Sequence, residues 1–227
     1  MSTVLITGAN RGLGLEFARQ YAHAGWHVIA TCREPGAAEA LGDLPGAIEI
    51  HPLDVADFAA IDALAERLGG RHVDLLLANA GLYGQDAAHL GEIDYAAWEK
   101  VLRINTLAPL RLAEALRPNL EAGTGRLIAA VSSGLGSIGD VTSGGGYAYR
   151  TSKAALNMAY RTLSVDLRAA GIAVVLLHPG WVRTDMGGSN ATLAPKDSVA
   201  RMRKVLDAVG IDDSGRFINH DGKDLPW

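Results

Sequence analysis

Near its start the chain reads Val4-Leu5-Ile6-Thr7-Gly8-Ala9-Asn10-Arg11-Gly12-Leu13-Gly14. The apolar residues 4–7 predict a buried strand, residues 8–14 a glycine-rich turn, and residues 13–24 an amphipathic helix. Glycines let the backbone bend sharply and approach a ligand closely, and the helix N-terminus then offers free N–H groups to a pyrophosphate. The spacing is Gly-x-x-x-Gly-x-Gly rather than the broader Gly-x-Gly-x-x-Gly fingerprint. The stretch therefore predicts a dinucleotide site, with an ordinary strand-to-helix loop as the alternative.

The same alternation of short apolar runs and helical patterns continues along the chain. Strands are predicted at residues 4–7, 27–31, 48–51, 73–77, 126–131, 172–177 and 216–218. Helices are predicted near residues 12–24, 56–68, 95–116, 149–170 and 195–209. Most strand runs are continuously apolar, which indicates burial on both faces of a parallel sheet. The sequence therefore predicts an α/β protein, with a Rossmann-like, doubly wound, parallel seven-stranded sheet and helices on both faces, as a single domain over residues 1–227.

Composition narrows the functional classes. The 227 residues carry a net charge of −4 and contain a single cysteine, Cys32. The sequence has no basic stripe suited to nucleic acid, and no apolar run reaches the roughly 20 residues that cross a bilayer. We therefore expect a cytoplasmic protein that binds neither nucleic acid nor membrane. The seven histidines form no metal-binding pattern; His51 and His178, which follow strands, are interpreted as loop or core residues, and no metal is expected.

A second motif, Tyr149-Arg150-Thr151-Ser152-Lys153, places an ammonium group four residues after a phenol. On a helix these two side chains share a face, and a neighbouring Lys⁺ favours phenolate and lowers a pKa that starts near about 10. Such a pair can transfer protons near neutral pH. Alone, the pair is more typical of an ordinary surface; together with the glycine turn it predicts proton transfer beside a nicotinamide. Tyr147 has no lysine four residues later and is not the candidate.

The end of the second predicted strand bears on the choice of dinucleotide. An NAD site usually has an Asp or Glu there for the ribose 2′-hydroxyl, whereas this chain reads Thr31-Cys32-Arg33. Arg33 suits a 2′-phosphate through a bidentate, charge-assisted contact, and Arg11 in the glycine turn would add a second cation. The residues favour NADP(H); in the alternative, Glu34 serves as a displaced acid.

Further motifs follow in order along the chain. They are Thr7-Gly8-x-x-x-Gly12-x-Gly14, Asp54, Asn79-Ala80-Gly81, Asn105, Ser132-Ser133, Tyr149-x-x-x-Lys153 and Pro179-Gly180. In these residues, and over essentially its whole length, the chain resembles the short-chain dehydrogenase/reductase family, in its compact single-domain branch. Within the family, residues 134–138, 147–153 and 215–227 resemble the sniffer and C-factor type.

The resemblance implies a role for each of these residues. Tyr149 would donate a proton to the substrate carbonyl as hydride arrives, while Lys153 would lower its pKa and hold the nicotinamide ribose. Ser133 would orient the carbonyl, and Asn105 would hold a water that links Lys153 to solvent. The implied catalytic residues are Asn105, Ser133, Tyr149 and Lys153. The implied cofactor-binding residues are Gly8, Asn10, Arg11, Gly12, Leu13, Gly14, Arg33, Asp54, Val55, Asn79, Ala80, Gly81, Tyr149, Lys153, Pro179, Gly180, Val182 and Thr184.

Two departures from the family pattern leave alternatives open. Ser133 and Tyr149 are 16 positions apart, which is longer than in many members, and the extra length falls in the segment 139–146 as a looped-out insertion. Ser132 remains the alternative to Ser133. The segment 186–194 is also short for a substrate lid, which would leave an open pocket and a broad substrate range. Four residues on loops after strands either line that pocket or serve packing: Tyr83, Leu135, Trp181 and Met186.

The leading hypothesis is an NADPH-dependent carbonyl reductase that acts on a ketone or aldehyde. The alternative is a regulatory or signalling protein of the C-factor type that binds the dinucleotide with little turnover. The complete catalytic set favours the enzyme, because a binding module would not need all four residues. A sugar epimerase or dehydratase is disfavoured by the glycine spacing. The helices predicted at 95–116 and 149–170 carry apolar residues on more than one face, and family members often pair through them, so a homodimer or homotetramer is expected.

Overall fold

The computed structural model describes residues 1–84 and 89–227, and a seven-stranded sheet runs through them. The strands are β1 (Thr3–Thr7), β2 (His27–Cys32), β3 (Ile48–Pro52), β4 (Leu75–Ala78), β5 (Leu127–Val131), β6 (Ala173–His178) and β7 (Phe217–Asn219). They lie in the order β3-β2-β1-β4-β5-β6-β7, and every neighbouring pair is parallel. All seven predicted strands are present, with ends that differ from the predicted ones by no more than two residues. The predicted fold class is confirmed.

Helices cover both faces of this sheet. Within the described residues they are α1 (Gly12–His23), α2 (Glu39–Gly42), α3 (Phe58–Leu68), α4 (Tyr95–Leu102), α5 (Ala108–Ala115), α6 (Arg117–Ala122), α7 (Tyr147–Asp166) and α8 (Pro195–Ala208). The buried residues form two cores. Val4 and Ile6 of β1 pack in the core that contains α1 and α8, whereas Leu5 packs with α3, α5 and α7. Alternate residues of a strand point to opposite faces, so the three central residues of β1, Val4, Leu5 and Ile6, are all apolar and buried.

The helix predicted over residues 95–116 is interrupted near its middle. A π-helical turn at Arg103–Leu107 separates α4 from α5. Pro109 has no N–H, so it cannot bond the carbonyl of Asn105 in α-helical register, and this favours the wider turn. Asn105 therefore lies on an irregular turn rather than on a regular helix.

Other helix ends also differ from the prediction. The helix predicted from residue 56 begins at Phe58, because the carboxylate of Asp57 caps it and accepts bonds from the N–H groups of Ala59 (3.0 Å) and Ala60 (3.4 Å). The helix predicted over 149–170 is α7, which starts two residues earlier and ends four residues earlier, before a separate 3₁₀ turn. The short helices α2 and α6 were not predicted.

The strand order places a topological switch between β1 and β4. From β1 the chain continues outward to β2 and β3, whereas from β4 it continues in the opposite direction to β5, β6 and β7. The loops after β1 and β4 therefore diverge and leave a crevice at the carboxyl ends of the strands, which is where such sheets bind ligands. Within the described part of the chain, none of the helices has the length and apolar character needed to span a membrane.

Candidate active site

The glycine turn after β1 is folded too tightly for side chains at its key positions. A Cβ at Gly14 would lie 2.1 Å from the carbonyl oxygen of Gly8, and Gly8 itself has a φ of +65°. Gly12 has a φ of +56°, and a Cβ there would lie 3.5 Å from Cγ2 of Thr184. The turn therefore brings backbone, rather than side chains, to the N-terminus of α1, where N–H groups can receive a pyrophosphate. Asn10 and Arg11 are exposed beside it, and Leu13 is half-buried.

Asn79 braces this turn against β4. Its amide Nδ2 donates to the carbonyl oxygens of Thr7 (2.9 Å) and Gly8 (3.2 Å). The Thr7 hydroxyl in turn accepts bonds from the backbone N–H groups of Asn79 and Ala80, each at 3.1 Å. The amide of Asn79 is thus used to hold the crevice open at a fixed width, which leaves Ala80 and Gly81 to line it.

Helix α7 carries Lys153 into the interior at the edge of the crevice. The side chain is only 4% exposed, and its Nζ donates to the carbonyl oxygen of Val131, at the end of β5, over 2.8 Å. Gly136 packs against it so closely that a Cβ there would lie 2.8 Å from the Lys153 Cβ. Burial lowers the pKa of Lys153 to about 8. The ammonium is therefore oriented by main chain, and its other N–H groups remain available to a ligand.

Tyr149 lies one turn before Lys153 and is 8% exposed. Burial raises its pKa to about 12; a hydrogen bond with the Ser133 side chain acts in the opposite direction, and the nearby Tyr83 adds to the rise. The Lys153 ammonium lies 5.6 Å from the centre of the Tyr149 ring. The expectation that Lys153 brings the pKa of Tyr149 below 10 is therefore wrong for this structure, because the lysine points to a carbonyl and burial dominates.

The two adjacent serines after β5 have different surroundings. Ser132 is buried, and its hydroxyl donates to Oδ1 of Asn157 over 2.6 Å. Ser133 is partly exposed, accepts a bond from the N–H of Leu135 (3.1 Å), and lies within hydrogen-bonding reach of Tyr149. Only Ser133 thus has its hydroxyl beside the phenol, whereas Ser132 is occupied in the core.

Asn105 joins the loop after β4 to helix α7. Its Oδ1 accepts from the N–H of Leu82, and its Nδ2 donates to the carbonyl of the same residue, both over 2.8 Å. Nδ2 also donates to the hydroxyl of Ser152 over 2.9 Å. The amide is fully buried, and a Cβ at Gly81 would lie 3.4 Å from its oxygen and 3.8 Å from the Lys153 Nζ. Asn105, Gly81 and Lys153 are therefore neighbours, as their predicted roles require.

The predicted 2′-phosphate end of the crevice is exposed. Arg33 follows the buried Cys32 at the end of β2, and within the described part of the chain its guanidinium has no ion-pair partner. Arg11 does have a partner, since its Nη1 lies 2.6 Å from Oδ2 of Asp185. Burial raises the pKa of the Cys32 thiol. At the position where an NAD site has an acid that binds the ribose 2′-hydroxyl, this chain therefore has the cation of Arg33 and the uncharged thiol of Cys32.

The loop after β3 lies next to this end. Asp54 is exposed, and its Oδ1 accepts from the N–H of Ala56 over 2.9 Å. Val55 beside it is 8% exposed. A carboxylate held by its own turn next to an apolar side chain suits an adenine ring with an exocyclic amino group.

The loop after β6 closes the other side of the crevice. Gly180 has a φ of +79°, and a Cβ there would lie 2.7 Å from the His220 ring. The carbonyl of Pro179 accepts from the Ser198 hydroxyl over 2.6 Å, which ties the loop to α8. Val182 is buried, and the Thr184 hydroxyl accepts from the N–H of Gly187 over 3.1 Å. These contacts fix the loop beside the glycine turn.

Three of the four apolar or aromatic residues predicted to line the pocket or serve packing are exposed. Leu135, Trp181 and Met186 are 36%, 54% and 46% exposed, and Trp181 donates from its ring N–H to the carbonyl of Gly187. Residues 138–144 form an exposed connection between β5 and α7 without helix or strand, which is how the longer Ser133–Tyr149 separation is accommodated.

The two histidines that follow strands, His51 and His178, make local contacts. Nδ1 of His178 accepts from the N–H of Gly134 over 3.1 Å, and burial lowers the His178 pKa to about 4. His51 lies 3.2 Å from a Glu49 oxygen. Among the described residues, no cluster of three or more His, Cys, Asp or Glu side chains is arranged to hold a metal ion.

Three residues at the site had no assigned role in the sequence analysis. The Thr7 hydroxyl holds the loop after β4, Ser152 links Asn105 to the carbonyl of Tyr149 over 2.8 Å, and Asp185 pairs with Arg11. Ser152 lies inside the Tyr149–Lys153 motif, so its proximity was foreseeable. Asp185 gave no signal, because nothing in its spacing links it to a residue 174 positions away.

The fold and these contacts define a dinucleotide-binding α/β protein, and comparison with known proteins gives its class. The model of the short chain dehydrogenase family matches residues 2–193, and the chain belongs to this family. It is 51% identical over 155 residues to the C-signal of Myxococcus xanthus, a match that covers 68% of this chain and 93% of that protein. It is 40% identical over 235 residues, covering all of both chains, to 1-hydroxy-2-glutathionyl-2-methyl-3-butene dehydrogenase of Rhodococcus sp. strain AD45.

Solved structures agree with this assignment. The carbonyl reductase Sniffer of D. melanogaster superposes with a TM-score of 0.93, at 38% identity and full coverage of both chains. The NADPH-bound carbonyl reductase from chicken fatty liver superposes with a TM-score of 0.90, at 38% identity, over 100% of this chain and 99% of that chain. The predicted resemblance to the sniffer and C-factor type is confirmed.

Proposed function

We propose that this protein is an NADPH-dependent carbonyl reductase that reduces a ketone or aldehyde. The observation that carries the proposal is the meeting of Ser133, Tyr149 and Lys153 beside the crevice at the switch between β1 and β4. Family membership supports the oxidoreductase class, and the similarity to two carbonyl reductases supports this reaction.

The crevice fits NADP(H). The backbone cradle at Gly8 and Gly14 excludes a Cβ and suits a pyrophosphate, while Arg33 and Arg11 suit the extra phosphate. The chicken carbonyl reductase was solved with NADPH, which supports the same choice here. The remaining residues proposed to hold the cofactor are Asn10, Gly12, Leu13, Asp54, Val55, Asn79, Ala80, Gly81, Tyr149, Lys153, Pro179, Gly180, Val182 and Thr184.

Bound NADPH would supply the hydride, and a side chain of the protein would donate the proton. With a pKa of about 12, Tyr149 is protonated at neutral pH and ready to donate to the carbonyl oxygen of the substrate. The Ser133 hydroxyl would bond the same oxygen and fix its position. Lys153, anchored on Val131, would direct its remaining N–H groups to a ribose hydroxyl.

Replacement of the donated proton needs a path to solvent. The side-chain amide of Asn105 is engaged by Leu82 and Ser152, whereas its main-chain carbonyl lacks the α-helical partner that Pro109 cannot provide. We place the relaying water at this carbonyl, next to Lys153.

The test is NADPH oxidation, followed by absorbance, against a panel of ketones, aldehydes and quinones. The reverse reaction with NADP⁺ is run on alcohols, including a glutathione-conjugated alcohol, because the Rhodococcus relative is a dehydrogenase of such a compound. Turnover with at least one carbonyl supports the proposal; NADPH binding without turnover on the whole panel contradicts it.

The second candidate is a signalling protein that binds the dinucleotide with little turnover. Its support is the 51% identity to C-signal. The same panel separates the two functions, since the signalling protein would bind NADPH tightly yet leave every carbonyl unreduced.

We also propose a homodimer or homotetramer with two-fold symmetry. Several large apolar side chains are exposed on these helices: Leu107 on the turn between α4 and α5, Leu110 on α5, and Met158 and Val165 on α7. Association through these helices would bury them. Light scattering that shows only monomer would contradict this assembly.

A further inference from the structure

Tyr83 lies directly on the proposed proton donor. The two tyrosine rings have centroids 4.6 Å apart and planes inclined by 30°. Tyr149 is 8% exposed, whereas Tyr83 is only partly buried. The Tyr83 ring therefore lies against the Tyr149 ring and is the more exposed of the two.

The backbone on either side of Tyr83 is fixed. Leu82, which precedes it, has both its N–H and its carbonyl bonded to the buried amide of Asn105, each over 2.8 Å. Gly84, which follows it, has a φ of +84°, and a Cβ there would lie 2.6 Å from Cγ2 of Val101. Tyr83 is thus held between a bonded residue and a tightly packed glycine, and its ring has little freedom to leave Tyr149.

Tyr149 has two other side-chain neighbours, Ser133 and Lys153. Its hydroxyl is reached by Ser133, and the Lys153 ammonium is 5.6 Å from the ring centre and bonded elsewhere. The ammonium lies over the Tyr149 ring at this longer distance, whereas the centroid of the Tyr83 ring is 4.6 Å away, so Tyr83 makes the closer contact. Aromatic rings with centroids about 4.5–7 Å apart attract one another, so the tilted Tyr83 ring adds a contact that helps to hold the phenol of Tyr149 in place.

We propose that Tyr83 is a positioning residue, whose ring keeps the phenol of Tyr149 aligned with the Ser133 hydroxyl and shields it from water. This inference rests on the proposed function, in which Tyr149 is the proton donor. The ring, rather than the hydroxyl of Tyr83, performs the task, because the observed contact is between the two rings.

The first test compares Tyr83→Ala and Tyr83→Phe with a matched control, Tyr95→Ala, whose ring is 67% exposed and stacks on Trp98 instead. Displacement of a catalytic group by about 1 Å can cost about 100-fold in rate, so kcat of Tyr83→Ala should fall by about 10- to 100-fold. The substrate KM and the NADPH Kd should change little. Tyr83→Phe should retain most of the activity, as should the control.

Three outcomes would overturn the proposal. If Tyr83→Ala changes only KM, the ring contacts substrate and does not act through Tyr149. If Tyr83→Phe loses as much as Tyr83→Ala, the hydroxyl is the active group. If Tyr83→Ala retains its kcat, the contact between the two rings has no functional consequence.

A second readout needs no turnover. With ¹³Cζ-labelled tyrosine, the ionisation of Tyr149 is followed by NMR, and the resonance is assigned with Tyr149→Phe. The groups that face the phenol are Tyr83, Ser133 and Lys153. Water admitted by Tyr83→Ala should weaken the burial that raises the pKa, so the pKa of Tyr149 should fall toward about 10.

An unchanged pKa of Tyr149 in Tyr83→Ala would contradict the shielding. Because this measurement uses no substrate, it separates the two hypotheses. If no carbonyl on the panel is reduced but the pKa falls, the proposed function fails while the contact that shields Tyr149 stands.

Discussion

The guanidinium of Arg11 and the carboxylate of Asp185 form an ion pair across the crevice, with Nη1 and Oδ2 2.6 Å apart. Arg11 belongs to the glycine turn after β1, and Asp185 to the loop after β6. Their chain neighbours Gly12 and Thr184 are also close, since a Cβ at Gly12 would lie 3.5 Å from Cγ2 of Thr184. An arginine proposed to bind the 2′-phosphate is therefore already paired with an acid of the protein, which must compete with the phosphate.

Removing that competition should tighten cofactor binding. We expect Asp185→Asn to lower the NADPH Kd by about 1.4- to 5-fold, because an exposed ion pair such as this one contributes about 0.2–1 kcal/mol. The gain should shrink at high salt and be smaller for NADH. Fluorescence titration measures both constants. Asp212→Asn, which removes a different exposed partner of an arginine, is the control, and weaker NADPH binding by Asp185→Asn would refute the competition.

Arg33 should determine the preference for NADPH over NADH. Loss of a hydrogen bond to a charged group costs roughly 1.5–3 kcal/mol, so Arg33→Ala should weaken NADPH binding by about 10- to 150-fold and leave NADH nearly unchanged. Titration of both reduced cofactors with native and variant protein checks this. Equal affinities of the native protein for NADPH and NADH would show that Arg33 does not bind the 2′-phosphate of NADPH.

The two serines after β5 should respond differently to substitution. Ser133→Ala removes the hydroxyl beside the phenol of Tyr149 and should lower kcat, with little change in melting temperature. Ser132→Ala leaves the buried Oδ1 of Asn157 without its donor and should lower stability by about 1–3 kcal/mol, with a smaller effect on kcat. Steady-state kinetics and thermal unfolding of the two variants are compared, and a larger kcat loss in Ser132→Ala would reverse the assignment.

Much of this site was readable from the sequence because its signals are local. The glycine turn, the Tyr149–Lys153 pair and the apolar strands each depend on spacing within a few residues. The interrupted helix was missed although its cause is also local, since Pro109 lies four residues after Asn105 and removes an α-helical bond.

The remaining features depend on residues far apart in the chain. Spacing indicated that Lys153 shares a face with Tyr149, but not that the Val131 carbonyl would orient its ammonium. Nor did it indicate how completely Tyr149 would be buried, and burial decides the direction of its pKa. The same holds for Asp185 and for the contact of Tyr83 with Tyr149, because each forms only when separate loops meet at the end of the sheet.

Asp74 should make stability depend on acid pH. Burial acts to raise the pKa of this carboxyl, but bonds from the N–H groups of Gly125, Thr3 and Thr124 outweigh it and lower the pKa. Because the folded pKa is below the unfolded value of about 3.9, the stabilisation is present above that value and is lost as pH falls through the folded pKa.

The measurement for Asp74 is denaturant unfolding between neutral and acid pH. At neutral pH, Asp74→Asn should lower the free energy of unfolding by roughly 1.5–3 kcal/mol. The difference in the free energy of unfolding between native and variant protein should become smaller as the pH falls through the folded pKa of Asp74. A difference in the free energy of unfolding that stays constant with pH would show that the charge of the Asp74 carboxylate contributes nothing to stability.

The central claim is that Tyr149 donates the proton in carbonyl reduction, and its most direct test is kcat of Tyr149→Phe beside that of Tyr147→Phe. Both changes remove one hydroxyl, but Tyr147 is 36% exposed and its ring lies 6.3 Å from that of Trp98. With a substrate from the panel, Tyr149→Phe should lose about 10²–10⁴-fold in kcat with little change in NADPH affinity, because the phenol contacts the substrate carbonyl more than the cofactor. Tyr147→Phe should match the native protein. Native turnover by Tyr149→Phe, or inactivity of Tyr147→Phe, would contradict the mechanism.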